Sequence, residues 1–533
     1  MKKRFTYIAV ALAASVALAG CTSSGSSNNS SSGSAESTGG TNYVLVNGSE
    51  PENPLLPGVT NETGGGRILS LINAGLVYYD ATGKTHNELA ESIDTTDSQN
   101  YTIKLKKGQK FSDGSEIKAK NFVDAWQSIV KNSDRQAFFF ESIEGYKEGE
   151  EMPGLKADDD YTISVKLAQP ESDWPLRLGY SAFSPMPESY FKDAKAYGEN
   201  PLASGPYKVL KWNHNTDITL VPNKEYQGDR KAKNDGVQIK FYAQQDAAYA
   251  DLLADNLDVL DAIPDSAFGT YQKELGDRAV NQPAAIFQSF TIDSDEKHFS
   301  GEEGYLRRQA LSMAIDRKQI TDTIFKGTRT PAKDFTSPVI SGWNDKLPGS
   351  EVLSFNPDKA KELWAKADAI SKYDGTFKIA YNADGGHQAW VDAVMNQIKN
   401  NLDIKAEGDP YPDFKSFRTK VSKHEMETAY RTGWQADYPS LYNFLGPLYS
   451  TGAPSNDGQY SNPEFDKLLK QGLAAKSPED ANQIFDKAQE ILFNNLPAIP
   501  LWYSNVNGGY SKNVSDVKFG WDSVPLYYQI TKK

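Results

Sequence analysis

The side chains that most often do chemistry are sparse and scattered in this sequence. Five histidines, His86, His214, His298, His387 and His424, stand at no spacing that gathers metal ligands, and Cys21 is the only thiol, so neither a metal site nor an internal disulfide is expected. HExxH, GxxxxGK[ST], GxSxG and paired CxxC signatures are absent, which weakens the common metalloprotease, phosphate-loop, serine-hydrolase and zinc readings. Gly64, Gly65 and Gly66 follow no clear strand and have no lysine placed for a phosphate, so they read as a turn. Residues 293–303 space their acids faintly like a calcium loop, but Lys297 occupies a ligand position, and a solvated acidic loop is expected. No catalytic residue and no cofactor is assigned. One short run, Arg431-Thr432-Gly433-Trp434-Gln435-Ala436-Asp437-Tyr438, sets charged and aromatic side chains close together. From spacing alone, Asp437 reads as a turn residue and Trp434 as core.

The elements that must position these residues mix strands and helices. Residues 101–105, 161–167, 217–221 and 237–242 alternate apolar and polar side chains as half-buried strands do. Across residues 119–131, Phe122, Val123, Trp126, Ile129 and Val130 fall on one helical stripe opposite Lys120, Asp124 and Gln127. Asn356-Pro357, Asn462-Pro463 and Ser477-Pro478 each put a capping side chain before a proline suited to the first helical turn. With 533 residues the chain is too long for one ordinary core, and no solenoid or heptad period appears. An α/β chain of two or more packed lobes is expected.

The N-terminus reads as an address. Lys2, Lys3 and Arg4 precede an apolar run, residues 5–18, that is too short to span a bilayer as a stable helix, which is the pattern of a secretory signal. Leu18-Ala19-Gly20-Cys21 resembles the lipobox of bacterial lipoproteins, in which the cysteine is lipidated and becomes the first mature residue. Two or more acyl chains, at about 0.8 kcal/mol per buried methylene, hold a protein firmly on a membrane. Residues 22–42 are almost wholly Ser, Gly, Thr and Asn, a tether spanning about 25 Å as a flexible coil. Lys and Arg total 57 against 70 Asp and Glu, a net charge of −13, which becomes −16 once the three cations of the signal are removed. So acidic a body is a poor match for a phosphate backbone, and nucleic acid is not an expected partner. No second apolar span is long enough to cross a membrane.

Several segments together resemble the extracytoplasmic oligopeptide-binding proteins, the solute-binding subunits (family 5) of ABC importers. They are Asn47-Gly48-Ser49-Glu50-Pro51; Phe111-Ser112-Asp113-Gly114 leading to Lys118 through Trp126; Gly205-Pro206-Tyr207-Lys208; Leu306-Arg307-Arg308-Gln309-Ala310; Ala314-Ile315-Asp316-Arg317; and Tyr460-Ser461-Asn462-Pro463-Glu464-Phe465-Asp466. They occur in order from residue 43 to the C-terminus.

The resemblance implies a periplasmic-binding-protein-like type II fold (cluster C): two lobes with an extra inserted domain. Domain I would be discontinuous, residues 43–62, 201–290 and 505–533, with domain II at 63–200 and domain III at 291–504. By the Gly-Trp-x-Ala-Asp match, Asp437 would take the α-ammonium of a bound peptide, Gly433 and Gln435 would pair with its main chain, and Trp434 and Tyr438 would wall the pocket. Arg431 and His387 stand where the family can engage a peptide carboxylate, although Arg431 can equally pair with a structural acid and His387 can cap a loop. Glu50 resembles a cleft residue, or else a strand-end acid. The implied protein is a monomeric, lipid-anchored receptor outside the cytoplasmic membrane that passes short peptides to an ABC permease. An oligosaccharide receptor of the same architecture or an extracellular hydrolase are the alternatives.

Overall fold

Strands and helices alternate along the chain as the two periodicities require. The computed structural model describes residues 42–453 and 455–533, apart from the side chains of Asp384 and Lys415; the expected signal, Cys21 and the tether up to residue 41 lie outside the described residues. Strand β1 (Val44–Gly48) leads into a helix, Thr63–Ile72, and a short hairpin of β2 (Val77–Tyr79) and β3 (Thr85–Asn87). Strands β4 (Ala90–Thr95), β5 (Asn100–Leu105), β6 (Leu155–Asp159) and β7 (Thr162–Lys166) form an antiparallel sheet in the order β4-β5-β7-β6. The amphipathic helix forms at Ala119–Lys131 and buries Phe122, Trp126, Ile129 and Val130.

The remaining strands of interest are β8 (Tyr207–Asn213), β9 (Asp217–Pro222), β10 (Val237–Phe241), β11 (Val259–Leu260), β12 (Ala279–Thr291), β13 (Arg329–Pro331), β14 (Thr376–Asn382), β15 (Lys405–Tyr411), β16 (Ala429–Gln435) and β17 (Ala498–Tyr510). With β1 they make one mixed sheet in the order β15-β14-β16-β12-β17-β11-β1-β10-β9-β8, with β13 beside β17. The anticipated caps are present: Asn356, Asn462 and Ser477 each accept a first-turn backbone N–H of the helix they precede.

Three principal apolar cores build on this frame. One gathers Val44, Ile68, Tyr207, Ile239, Val506 and Phe519; a second lies around Trp126, Phe140, Ile163 and Trp174; the third holds Phe287, Phe290, Trp390, Phe444, Phe485 and Trp502. Strands β12 and β17 run through both the first core and the third. Their ladder is regular from Ala279 to Pro283, breaks register between Pro283 and Phe287, shifts again between Gln288 and Ser289, and then runs on to Thr291. Proline has no N–H to give to a ladder, and the break falls where it stands. Ala284 packs in the first core and Ala285 in the third. The change of core on β12 therefore comes several residues before the boundary at 290 expected from the sequence.

Candidate functional site

Strand β16 has a full neighbour on one side only. It pairs with β12 from Tyr430 to Gln435, whereas β14 on its other side registers only with Ala429 and Tyr430. Just past the strand, the N–H of Ala436 donates to the carbonyl of Ala285 at 3.0 Å. In an antiparallel ladder the bonded residues alternate, so Thr432 and Trp434 turn their main-chain groups to β12 and Gly433 and Gln435 turn theirs to the side that β14 leaves uncovered. Both Gly433 and Gln435 are exposed.

Asp437 stands at the end of this edge, held by Asn443 from the first turn of the helix Tyr442–Tyr449. The Asn443 amide oxygen accepts the backbone N–H of Asp437 at 2.9 Å and the indole N–H of Trp434 at 3.1 Å, and its Nδ2 donates to Asp437 Oδ2 at 3.2 Å. One buried amide thus orients both the carboxylate and the indole. Burial pushes the Asp437 carboxyl up to about 6, against which the Asn443 bond acts only partly. Among the described residues no cation pairs with it.

Other parts of the chain converge here. Tyr79 of β2 donates to the carbonyl of Leu176 at 2.5 Å and meets Trp521 edge-on at 5.6 Å, and its hydroxyl is held well above the usual range by burial, with the nearby charges of Asp437 and Asp522 adding to the effect. Gly83, with φ +83, sits so close to Trp521 and Pro439 that a Cβ would come within 3.2 and 3.3 Å of them. The Gln435 side chain donates to the carbonyl of Asp522 at 3.0 Å. Asp522 is a second carboxyl that burial raises to about 6.

The lobes also meet directly. Ser440 donates to Asp173 Oδ2 at 2.9 Å, and the N–H of Ser172 donates to the carbonyl of Leu473 at 2.8 Å. Buried Arg177 bonds Glu171 at 2.6 Å and lies 5.5 and 5.8 Å from the ring centres of Tyr438 and Tyr442. Tyr438, expected at the pocket wall, is placed between the lobes. It is 4% exposed and packs in the second core, where Arg177 offers its ring a cation.

The other anticipated residues are more dispersed. Arg431 donates from Nε to Asn382 Oδ1 at 2.8 Å and lies over Phe414 and Phe417, so it is engaged away from Asp437. His387 directly precedes the helix Gln388–Leu402 and its Nδ1 accepts the indole N–H of Trp390 at 3.1 Å. Glu50 is bound into the β8–β9 turn by the N–H of Asn215 at 2.8 Å, His214 at 2.8 Å and Trp212 at 3.4 Å. Asn443, Tyr79, Trp521 and Asp522 were not anticipated; no motif marks them, since each acts through a contact distant in sequence or within a helix turn.

A sheet shared by two cores, a third core with its own sheet and an uncovered strand edge ending in a half-buried carboxyl describe a two-lobed binding protein. Residues 84–456 match the family described as bacterial extracellular solute-binding proteins, family 5, and the chain belongs to that family. It is 25% identical to the oligopeptide-binding protein OppA of Bacillus subtilis over 94% of each chain, and 26% identical to the periplasmic oligopeptide-binding protein OppA of Haemophilus influenzae over 86% of this chain and 87% of that one. Among solved structures, the Escherichia coli murein tripeptide binding protein MppA superposes with a TM-score of 0.78 at 21% identity, covering 92% of this chain and 98% of its own. The Haemophilus influenzae OppA complex with the peptide RPPGFSPFR gives 0.77 at 22%, covering 93% and 99%. The fold is therefore the type II periplasmic-binding-protein fold.

Proposed function

We propose that this protein captures short peptides by their free N-terminus in the cleft between its lobes and delivers them to an ABC permease without chemical change. The observation that carries this reading is Asp437, a half-buried carboxyl raised to about 6 that pairs with no cation among the described residues, at the end of an uncovered strand edge. A buried charge is tolerated when a counter-charge meets it, and an α-ammonium brings both the charge and three N–H donors. Each charge-assisted bond contributes about 1.5–3 kcal/mol. The main-chain groups of Gly433 and Gln435 bond an added strand whatever its sequence. That relatives of this chain are named for oligopeptides, dipeptides and murein peptides supports the same ligand class.

Three domains are assigned, with the first and third joined by β12 and β17 and their boundary on β12 moved to Ala284–Ala285, and closure is a hinge motion that ligand favours by touching both lobes. Cys21 carries the lipid that holds the monomeric receptor outside the cytoplasmic membrane. Arg431 and His387 are assigned to the far end of the longer ligands.

Thermal-shift screening of di- to octapeptides, each free and N-acetylated, tests the reading. Free peptides are expected to raise the melting temperature by mass action and acetylated ones to lose most of that rise. Equal shifts from both forms would remove the role given to Asp437, and cleaved peptide after long incubation would make the protein a hydrolase.

A further inference from the structure

A cavity of about 290 Å³ opens beside Gly433 and Trp434, apart from the contact that Asp437 makes. Its floor is a row of hydroxyls on the main sheet: Thr432 bonds Ser289 at 2.7 Å and Thr291 at 3.1 Å. Its walls come from the helices Phe414–Ser422 and Tyr442–Tyr449, through Phe414, Phe417 and Leu448. At its far end Arg418 and Asp457 hold each other in a two-bond ion pair, at 2.5 and 2.9 Å. The charges of that pair are answered by each other, and Arg431, which also lines the cavity, is bonded to Asn382 and laid over Phe414 and Phe417, so what the cavity chiefly offers a guest is aromatic and apolar walls and hydroxyls. An apolar cavity of about 150 Å³ is enough to hold benzene, so this one has room for a phenol or an indole.

Strand geometry says which part of a guest reaches it. Thr432 and Trp434, two residues apart on β16, face the cavity with Phe287 and Ser289, their partners on β12. A peptide bonded to the outward main-chain groups of Gly433 and Gln435, with its N-terminus at Asp437, runs antiparallel to β16. Its first residue then opposes Gln435 and its second opposes Trp434. Directly opposed residues share a face of the sheet, so the second side chain enters the cavity while the first and third turn away.

We propose that this cavity selects peptides with an uncharged aromatic side chain at the second position. The inference rests on the peptide reading above and adds a side-chain class to it. Phe414, 49% exposed, and Trp434 both line the cavity and offer rings against which such a side chain can pack.

Calorimetric titration with tripeptides Ala-Xaa-Ala tests it, Xaa being Ala, Leu, Phe, Tyr, Trp, Lys or Glu, with the aromatic residue also moved to the first and third positions. Tyr, Trp or Phe at the second position is expected to bind about 10- to 100-fold more tightly than Ala, and Lys or Glu no better than Ala. Leu448→Trp, which fills the cavity, is expected to abolish the aromatic advantage while trialanine keeps its affinity within about twofold. Phe414→Ala, at an exposed position where folding is not at stake, is expected to reduce the same advantage. An advantage that is indifferent to position, or that survives both substitutions, overturns the inference. Trialanine binding with no aromatic advantage overturns it alone, whereas failure of every free peptide to bind overturns the peptide reading and this inference together.

Discussion

Replacing Asp437 by asparagine is expected to make the empty protein more stable while disabling its site. The carboxyl has an ordinary value of 3.8 and reaches about 6 in the fold, so the folded state holds its proton more tightly than the unfolded chain does. A group raised in this way contributes stability below its unfolded value and loses it as pH rises through the folded one. Above pH 6 the fold therefore carries a cost, at most about 3 kcal/mol from roughly two units at 1.36 kcal/mol each, and less because Asp437 is only half-buried. The amide of Asp437→Asn carries no charge, and its oxygen can still accept from Asn443. Urea unfolding of both proteins without ligand, near pH 4 and near pH 7.5, reads the effect. The two are expected to match near pH 4, with the variant ahead by about 1–3 kcal/mol at the higher pH. A variant of equal or lower stability near pH 7.5 would refute the idea that Asp437 is held desolvated and unpaired.

Further outcomes follow from the same contacts. Peptide affinity is expected to fall about tenfold for each pH unit below 6, as protonation of Asp437 removes the counter-charge, and a flat profile between pH 4.5 and 7 by calorimetry would contradict this. Arg177→Ala leaves Glu171 and Asp173 buried without their cation and is expected to cost about 3–5 kcal/mol in chemical unfolding; a loss under about 1 kcal/mol would mean that water reaches them. Asn462→Ala removes the cap of the helix Pro463–Leu473 and is expected to cost about 1 kcal/mol in the same assay, where no change would show the cap to be replaced by solvent.

Local patterns were legible because their causes are local. The stripe of Phe122, Trp126 and Ile129 and the caps at Asn356, Asn462 and Ser477 depend on neighbours within one or two turns, and the helices start where those residues stand. The uncovered edge of β16 was not readable in this way, since it depends on where β14 stops pairing, a contact some fifty residues away in the chain. Asn443 was missed because an asparagine in a helix carries no mark of the carboxylate it orients. The packing of Tyr438 was not readable because its surroundings are set by Arg177 and the second core, more than two hundred and fifty residues away in the chain. The break at Pro283 was not readable either, since it depends on β12 and β17 running together from one core into the next.

The most direct measurement is titration calorimetry of trialanine and N-acetyl-trialanine against the native protein and Asp437→Asn near pH 7.5. Acetylation is expected to weaken binding to the native protein by about 10- to 150-fold, the equivalent of one charge-assisted contact of 1.5–3 kcal/mol, and to matter little in the variant, which already binds both weakly. Equal affinity of the native protein for the two peptides, or undiminished binding of trialanine by Asp437→Asn, would contradict the claim that Asp437 receives the N-terminal ammonium.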